Sequence, residues 1–349
     1  MTIDQIAREL NLAKSTVSRA LNGYPDISED TRERVTRTAL SLGYTASSAA
    51  RNLKRGRLDT VGIVLPGDEL DISSPFLVQF LRGATAVLEQ RGLDLLVASS
   101  PSAQDWQPTY ERLIAGRKVD GLILTRTLTD DPRVAFLNRT GFPFVCYGRT
   151  RSPEDFAWLD IDCGPAMREA VRRAVGLGHR RIGFICAPTE VNFARLQREA
   201  FGEAAAAAGL DGELVIEAGL DSADGAAAAR DLLALPEPPT AILCGLDVLA
   251  FGVMHALRDA GLQPGCEVSV IGYGDVQFAA FHQPPLSTFS QDARNAGAWT
   301  AEMLIALLQG TTAALLQRLR PATFVDRATL GAPTLTPEAL AERLKRSAA

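Results

Sequence analysis

The 349-residue chain reads as an α/β protein with a small all-helical piece at its N-terminus. Three observations predict this. Short apolar runs alternate with helical patterns from about residue 60 to residue 330, the mark of parallel sheets covered by helices. The first 44 residues instead carry only helical periodicity. Charge is also unevenly shared: residues 1–57 hold ten basic and six acidic side chains, leaving 26 basic and 35 acidic for the rest. A basic piece on an acidic body points to a polyanion met by the small piece alone.

In the N-terminal piece, Thr2-x-x-Gln5 reads as a capping box, and Ile3, Ile6, Ala7 and Leu10 share one face, predicting a helix at about 3–10. After the break at Asn11-Leu12-Ala13, a second helix at 15–22 turns Val17, Ala20 and Leu21 inward and Lys14, Ser15, Ser18 and Arg19 outward. Ser28 starts a third helix, with Val35, Ala39 and Leu42 on one face and Gly43 to end it. This is a helix-turn-helix pattern with a polar, basic second helix. A recognition helix must offer short polar and basic side chains to base edges in the major groove while its other face is held. Arg19 can pair bidentately with guanine, and Lys14 and Ser15 can reach bases or phosphates. On pattern alone the alternative is a helical packing module whose charges only solvate it.

The body shows strand-like runs at Val61–Leu65, Leu93–Val97, Val119–Leu124, Phe144–Tyr147 and Trp158–Ile161, with a helix at Phe76–Arg91. The theme repeats at Arg181–Ile185, Leu214–Ile216, Ala241–Cys244 and Val268–Ile271, which predicts two parallel sheets with ligands at the carboxyl ends of their strands. No phosphate-cradling loop, G-x-S-x-G elbow or H-E-x-x-H pair is present, so nucleotide enzymes and hydrolases lose support, and no cofactor is expected. Five single cysteines without a C-x-x-C pair read as reduced thiols, and His179 as a structural residue at a helix-to-strand turn. No apolar run approaches the roughly 20 residues of a spanning helix, and Met1-Thr2-Ile3-Asp4 lacks a secretory layout, so no membrane role and a cytoplasmic location are expected.

Thr2-Ile-Asp-Gln-Ile-Ala7, Thr16-Val-Ser-Arg-Ala-Leu-Asn22, Ser28-Glu-Asp-Thr-Arg-Glu-Arg-Val35 and Leu42-Gly-Tyr44 resemble the DNA-binding headpiece of the lactose and galactose repressor family. The resemblance implies that Lys14, Ser15 and Arg19 read bases, with Thr16, Ser18 and Asn22 nearer the backbone. It implies a hinge that wedges a leucine into the minor groove; Ala50-Arg51-Asn52-Leu53 matches it, making Leu53 the wedge and Arg51 a groove or phosphate contact. Tyr44-Thr45-Ala46-Ser47 departs from the pattern, where a proline and an asparagine are common. The alternative for this stretch is an alanine-rich connector.

Leu177-Gly-His-Arg-Arg-Ile182, Asp160-Ile-Asp162 and Ile271-Gly-Tyr-Gly-Asp275 resemble the two-lobed, periplasmic-binding-protein-like core of the same family. The domains expected are a headpiece at 1–45, a hinge at 46–59, a core at 60–330 and a tail at 331–349. Within the core the N-lobe takes about 60–161 and 292–321 and the C-lobe about 162–291 and 322–330. The resemblance also implies a homodimer on a palindromic double-stranded operator and a small molecule, a sugar, in the cleft. Matched cleft positions are Ser74, Phe76, Arg126, Arg149, Asp160, Asn192, Arg195, Asp247 and Asp275. Gly274 replaces the first aspartate of the usual G-Y-D-D string, which puts the ligand role of Asp275 in doubt. Asp247 reads equally as a helix N-cap and Arg195 as a surface residue. The tail carries Leu335, Leu340 and Leu344 without a sustained heptad, so no tetramer through it is expected. Leu124–Val134 and Tyr147–Thr150 resemble regulators of α-glucoside uptake, with a nucleobase as the alternative ligand. Two other classes, a transport-type binding protein and a small-molecule enzyme, are disfavoured by the basic headpiece and by the lack of a catalytic constellation.

Overall fold

The computed structural model describes residues 2–21, 23–44, 57–66, 74–102, 104–152, 155–210 and 214–348, in two compact units, Met1–Asp59 and Thr60–Ala349. The first unit holds α1 (Ile3–Glu9), α2 (Lys14–Leu21) and α3 (Glu29–Ser41). The Thr2 amide donates to Gln5 Oε1 at 2.9 Å at the start of α1, and Ser28 Oγ accepts from the Thr31 amide at the start of α3. Ile6, Val17, Ala20 and Val35 from the three helices close a core from which water is excluded. The apolar stripe of each helix thus faces the other two.

The second unit begins with β1 (Thr60–Pro66), α4 (Pro75–Gln90), β2 (Asp94–Ser100), α5 (Gln107–Ala115), β3 (Gly121–Leu124), α6 (Pro132–Thr140), β4 (Phe144–Tyr147) and β5 (Ala157–Asp162). It continues through α7 (Cys163–Gly176), β6 (Ile182–Cys186), α8 (Asn192–Ala207), β7 (Val215–Glu217), α9 (Ser222–Leu233), β8 (Ala241–Cys244), α10 (Asp247–Asp259) and β9 (Ser269–Ile271). Then follow β10 (Thr288–Ser290), α11 (Ala293–Leu308), β11 (Gln317–Pro321), β12 (Thr323–Val325) and α12 (Pro337–Ala348).

Two parallel sheets result. One has six strands in the order β11-β5-β4-β3-β1-β2 and the other four in the order β7-β6-β8-β9. The short antiparallel pair β10-β12 lies where the chain passes between them. The buried strands β3 and β8 are apolar throughout, as a sheet covered on both faces requires. Helices α4 and α11 cover one face of the first sheet and cross at contact distance. A Cβ on Gly83 would lie 1.8 Å from the Arg294 carbonyl oxygen, and one on Gly297 1.9 Å from that of Phe80. Larger residues at either position would push the helices apart.

Two segments carry structure that the sequence pattern does not announce. β11, Gln-Arg-Leu-Arg-Pro, is an edge strand with mostly exposed side chains that pairs in parallel with β5. The tail ends in α12, which buries Leu340 in the core of the second sheet's helices, with Leu335 and Leu344 beside it, and Arg343 pairs with Glu267 at 2.7 Å. Cys146, Cys163, Cys186 and Cys244 are buried free thiols and Cys266 is exposed. His179 is fully buried, its ring nitrogens within hydrogen-bond distance of Thr240 Oγ1, Ser269 Oγ and the Gly331 carbonyl, a structural role. No helix among the described residues is long and apolar enough to cross a membrane.

Candidate functional site

The headpiece presents α2 as its polar face. Lys14 and Ser15 stand exposed in the first turn, Arg19 one turn later, and Thr16 and Ser18 are half-buried between them. Both long cations are engaged within the headpiece. Lys14 Nζ lies 2.9 Å from Asp4 Oδ2, and Arg19 pairs with Asp26 while its guanidinium lies 5.2 Å from the centre of the Tyr24 ring. All four charged side chains remain about half exposed, so these pairs are weak and displaceable. Asp4, Asp26 and Tyr24 escape sequence reading because their part is to compete for cations named as DNA contacts. Asn22, Arg51 and Leu53 lie outside the described residues.

In the second unit the loops at the carboxyl ends of β3 and β4 meet the turn that follows β6. Gly148, with φ of 113°, opens the loop after β4; a Cβ there would lie 2.4 Å from Thr127 Oγ1. Arg149 follows, its Nε 2.7 Å from Asp160 Oδ2. Asp160 Oδ1 accepts the Ile161 amide at 2.8 Å. Burial raises the Asp160 carboxyl above the usual range, while Arg149 opposes that shift. From the other sheet, Asn192 Nδ2 donates to the Arg149 carbonyl at 2.8 Å, and its Oδ1 accepts from Arg195 Nη2 at 2.9 Å. Arg195 also pairs with Glu199 at 2.6 Å. Beside this group, Phe76 lies 5.5 Å from the Tyr147 ring and 6.1 Å from Phe80, with Ser74 just before the helix that carries it. Tyr147 Oη donates to Gln291 Oε1 at 3.1 Å, tying this aromatic cluster to the segment between β10 and α11. Arg126 sits after β3 in a left-handed conformation, φ 49°, its carbonyl accepting from Arg133 Nη2 at 2.9 Å.

The remaining two residues form a second group. Asp247 is buried, but it does not cap α10, whose N-cap is Leu246. Its carboxylate instead accepts from Thr288 Oγ1 at 2.5 Å and from the Val276 amide at 2.8 Å, joining β8 to the segments around β9 and β10. Burial pushes its carboxyl up to about 6. Asp275, also left-handed at φ 52°, pairs with Arg327 Nη2 at 2.7 Å. Arg327 in turn donates to the Leu286 carbonyl. Residues 74, 76, 149, 160, 192 and 195 therefore gather around the meeting loops, whereas Asp247 and Asp275 are held by partners within the second sheet's half of the unit. Tyr147 and Gln291 were not singled out from sequence; the position of Tyr147 at the carboxyl end of a strand was the available signal.

Residues 2–47 match the description "Bacterial regulatory proteins, lacI family", and residues 171–330 match "Periplasmic binding protein-like domain". The HTH-type transcriptional regulator AglR of Rhizobium meliloti (strain 1021) is 33% identical over 352 residues, spanning 97% of this chain and 96% of that one. The chain belongs to the lacI family. The HTH-type transcriptional regulator RafR of Escherichia coli is 30% identical across 96% of this chain and its own full length. Among solved structures, the transcriptional regulator CelR–cellobiose complex has a TM-score of 0.72 at 28% identity, covering 94% of this chain and 99% of that one. The lac repressor dimer bound to operator and anti-inducer matches at a TM-score of 0.85 and 24% identity over 95% of this chain and 99% of that one, a likeness of fold. Membership makes this lacI-family chain a DNA-binding regulator of transcription, with a helix-turn-helix headpiece and a periplasmic-binding-protein-like core.

Proposed function

We propose that the protein is a dimeric, cytoplasmic repressor of carbohydrate uptake or utilisation genes that binds a palindromic operator and responds to a sugar in the cleft between its lobes. It carries out no catalysis. Lys14, Ser15 and Arg19 read bases, Thr16, Ser18 and Asn22 position the headpiece, Arg51 contacts the groove or backbone, and Leu53 is the minor-groove wedge. The observation that carries the sugar reading is the group around Arg149. An arginine held by a buried aspartate lies beside the Phe76–Tyr147 aromatic pair, the combination of a charged hydrogen-bonding edge and an apolar ring face that a pyranose uses. Arg149, Arg195 and Asp275 each carry an opposite partner, which suits an uncharged polyhydroxyl ligand better than a phosphorylated one. The cellobiose bound by the related CelR supports the same reading. Ser74 and Arg126 complete the N-lobe side. Asp247 and Asp275 act by holding the C-lobe segments in place.

Coupling between ligand and DNA is a matter of linked equilibria: a ligand that prefers the lobe arrangement incompatible with two ordered hinges lowers operator affinity. The test is a thermal-shift screen of the full chain against cellobiose, maltose, sucrose, glucose 6-phosphate and adenine. A ligand at a hundred times its Kd stabilises by about 2.7 kcal/mol, which the screen resolves. A shift with adenine alone would replace the sugar with a nucleobase.

A further inference from the structure

Two loops that belong to different sheets pair with each other. Leu128, after β3, and Val191, before α8, form an isolated antiparallel bridge. The Asn192 amide donates to the Thr127 carbonyl at 2.9 Å and the Thr129 amide to the Glu190 carbonyl at 2.8 Å. The pairing extends no further, and the Asn192 side-chain bond to the Arg149 carbonyl is the third link across. Each half is braced separately. On the first, the buried Asp131 carboxylate accepts the Leu128 amide at 3.0 Å. It also binds Arg133, whose guanidinium caps the Thr125 and Arg126 carbonyls at 3.2 and 2.9 Å. Thr127 Oγ1 donates to the Arg149 carbonyl at 2.8 Å, and the Arg151 amide donates to the Thr129 carbonyl at the same distance. On the second, the bridge continues into the sixteen residues of α8.

Among the described residues, two stiff bodies are therefore joined here, away from the strand crossovers, by two backbone hydrogen bonds and one side-chain amide, with Arg151 attracted to Glu199 beside them. Hydrogen bonds that water can replace contribute little net free energy, so such a link is easily exchanged. The same place holds two buried polar atoms, Thr129 Oγ1 and Arg195 Nε, that find no hydrogen-bond partner among the described residues. Both would regain partners from water if the halves separated, which favours release.

We infer that this bridge is a clasp between the lobes, made in one lobe arrangement and released in another, and that it sets how readily the cleft opens. The inference rests on the reading of the cleft as the effector site. Asn192 is both a link of the clasp and the partner of Arg195, and the carbonyl it binds belongs to Arg149, so a ligand held by either arginine is coupled to the clasp through one residue.

Hydrogen exchange on the full chain without ligand tests it. The Thr129 and Asn192 amides, which bond across the lobes, are expected to exchange at least about 100-fold faster than amides within β3 and β6, because they open without unfolding either sheet. Leu128 and Val191 are directly opposite at a non-hydrogen-bonded site, where Cα atoms lie about 4.5 Å apart and a disulfide can form. In Leu128→Cys/Val191→Cys, oxidation should bring both amides down to the strand rate, and reduction should restore fast exchange. Asn192→Ala, which keeps the backbone bonds, should speed the Thr129 amide about tenfold and leave β3 and β6 unchanged. Exchange of both amides at the strand rate in the wild type would overturn the proposal, as would a folded double-cysteine variant whose thiols do not bond. No ligand enters the measurement, so its failure is separate from a failure of the sugar reading.

Discussion

Arg19→Ala is expected to weaken specific operator binding by about 1–2 kcal/mol, roughly five- to thirtyfold, with a smaller loss on scrambled DNA. A bidentate arginine–guanine pair is worth roughly 1–3 kcal/mol of discrimination. In the free headpiece Arg19 already holds Asp26 and lies over Tyr24, about half exposed, and DNA must displace at least the ion pair. Pairs so exposed are worth about 0–1 kcal/mol, which places the loss in the lower part of the range. The competitor gives the opposite sign: Asp26→Asn frees Arg19 and should tighten operator binding by up to about 1 kcal/mol, roughly fivefold. In the Arg19→Ala background, Asp26→Asn should lose most of that effect, since the two residues act through one contact. Fluorescence anisotropy on a duplex selected from a random pool and on its scrambled counterpart, at one salt concentration, measures all four proteins. Equal losses on both duplexes would refute the base-reading role, and additive effects in the double variant would refute the competition with Asp26.

Three further outcomes are expected. Asp247 has its carboxyl raised from 3.8 to about 6, so the folded state holds the proton more tightly. Its stabilising contribution is complete below pH 3.8 and lost as pH rises through 6. Urea unfolding should therefore show Asp247→Asn gaining about 2 kcal/mol on the wild type between pH 4 and pH 7, and a flat difference would contradict this. Leu340→Ala empties a fully buried site and should cost about 2–5 kcal/mol in denaturant unfolding of the second unit; a loss below about 1 kcal/mol would mean that α12 is not part of its core. Phe76→Ala should weaken whichever sugar scores in the thermal screen at least about tenfold by calorimetry while operator affinity without sugar stays unchanged, since the ring gives only the apolar face of the site; unchanged sugar affinity would remove it from the site.

What sequence could show was local. The capping box at Thr2 and Gln5, the 3.6-residue stripe of α3 and the apolar run of β3 each depend on neighbours within a few residues, and all were legible. β11 was not, because an edge strand bonded on one side and exposed elsewhere needs no apolar run, and Gln317–Pro321 has none. α12 was opaque for a related reason. Its leucines pack on the second sheet's helices rather than on a second copy, so no heptad is required of them. In the candidate site, residue types at strand ends were readable, but partner choice was not. Asp247 looked like a cap because Val248 begins a helical pattern, yet its partners lie 29 and 41 residues away. Asp275 and Arg327 are 52 residues apart, and no local spacing announces their pairing.

The interlaced strand order bears on how the protein comes off the ribosome. The headpiece is finished when α3 has emerged, since its core draws on residues no later than Tyr44. The six-stranded sheet, started at Thr60, waits for Gln317–Pro321 to complete its edge beside β5, and the second half waits longer still, for Leu340. Neither lobe can therefore close early and stand alone while the other is being made, and long-range pairing of this kind is slow. A chain cut short after the first strands of the core but before residue 317 would carry a complete headpiece joined to lobes with open seams, a finished reader without its finished receiver.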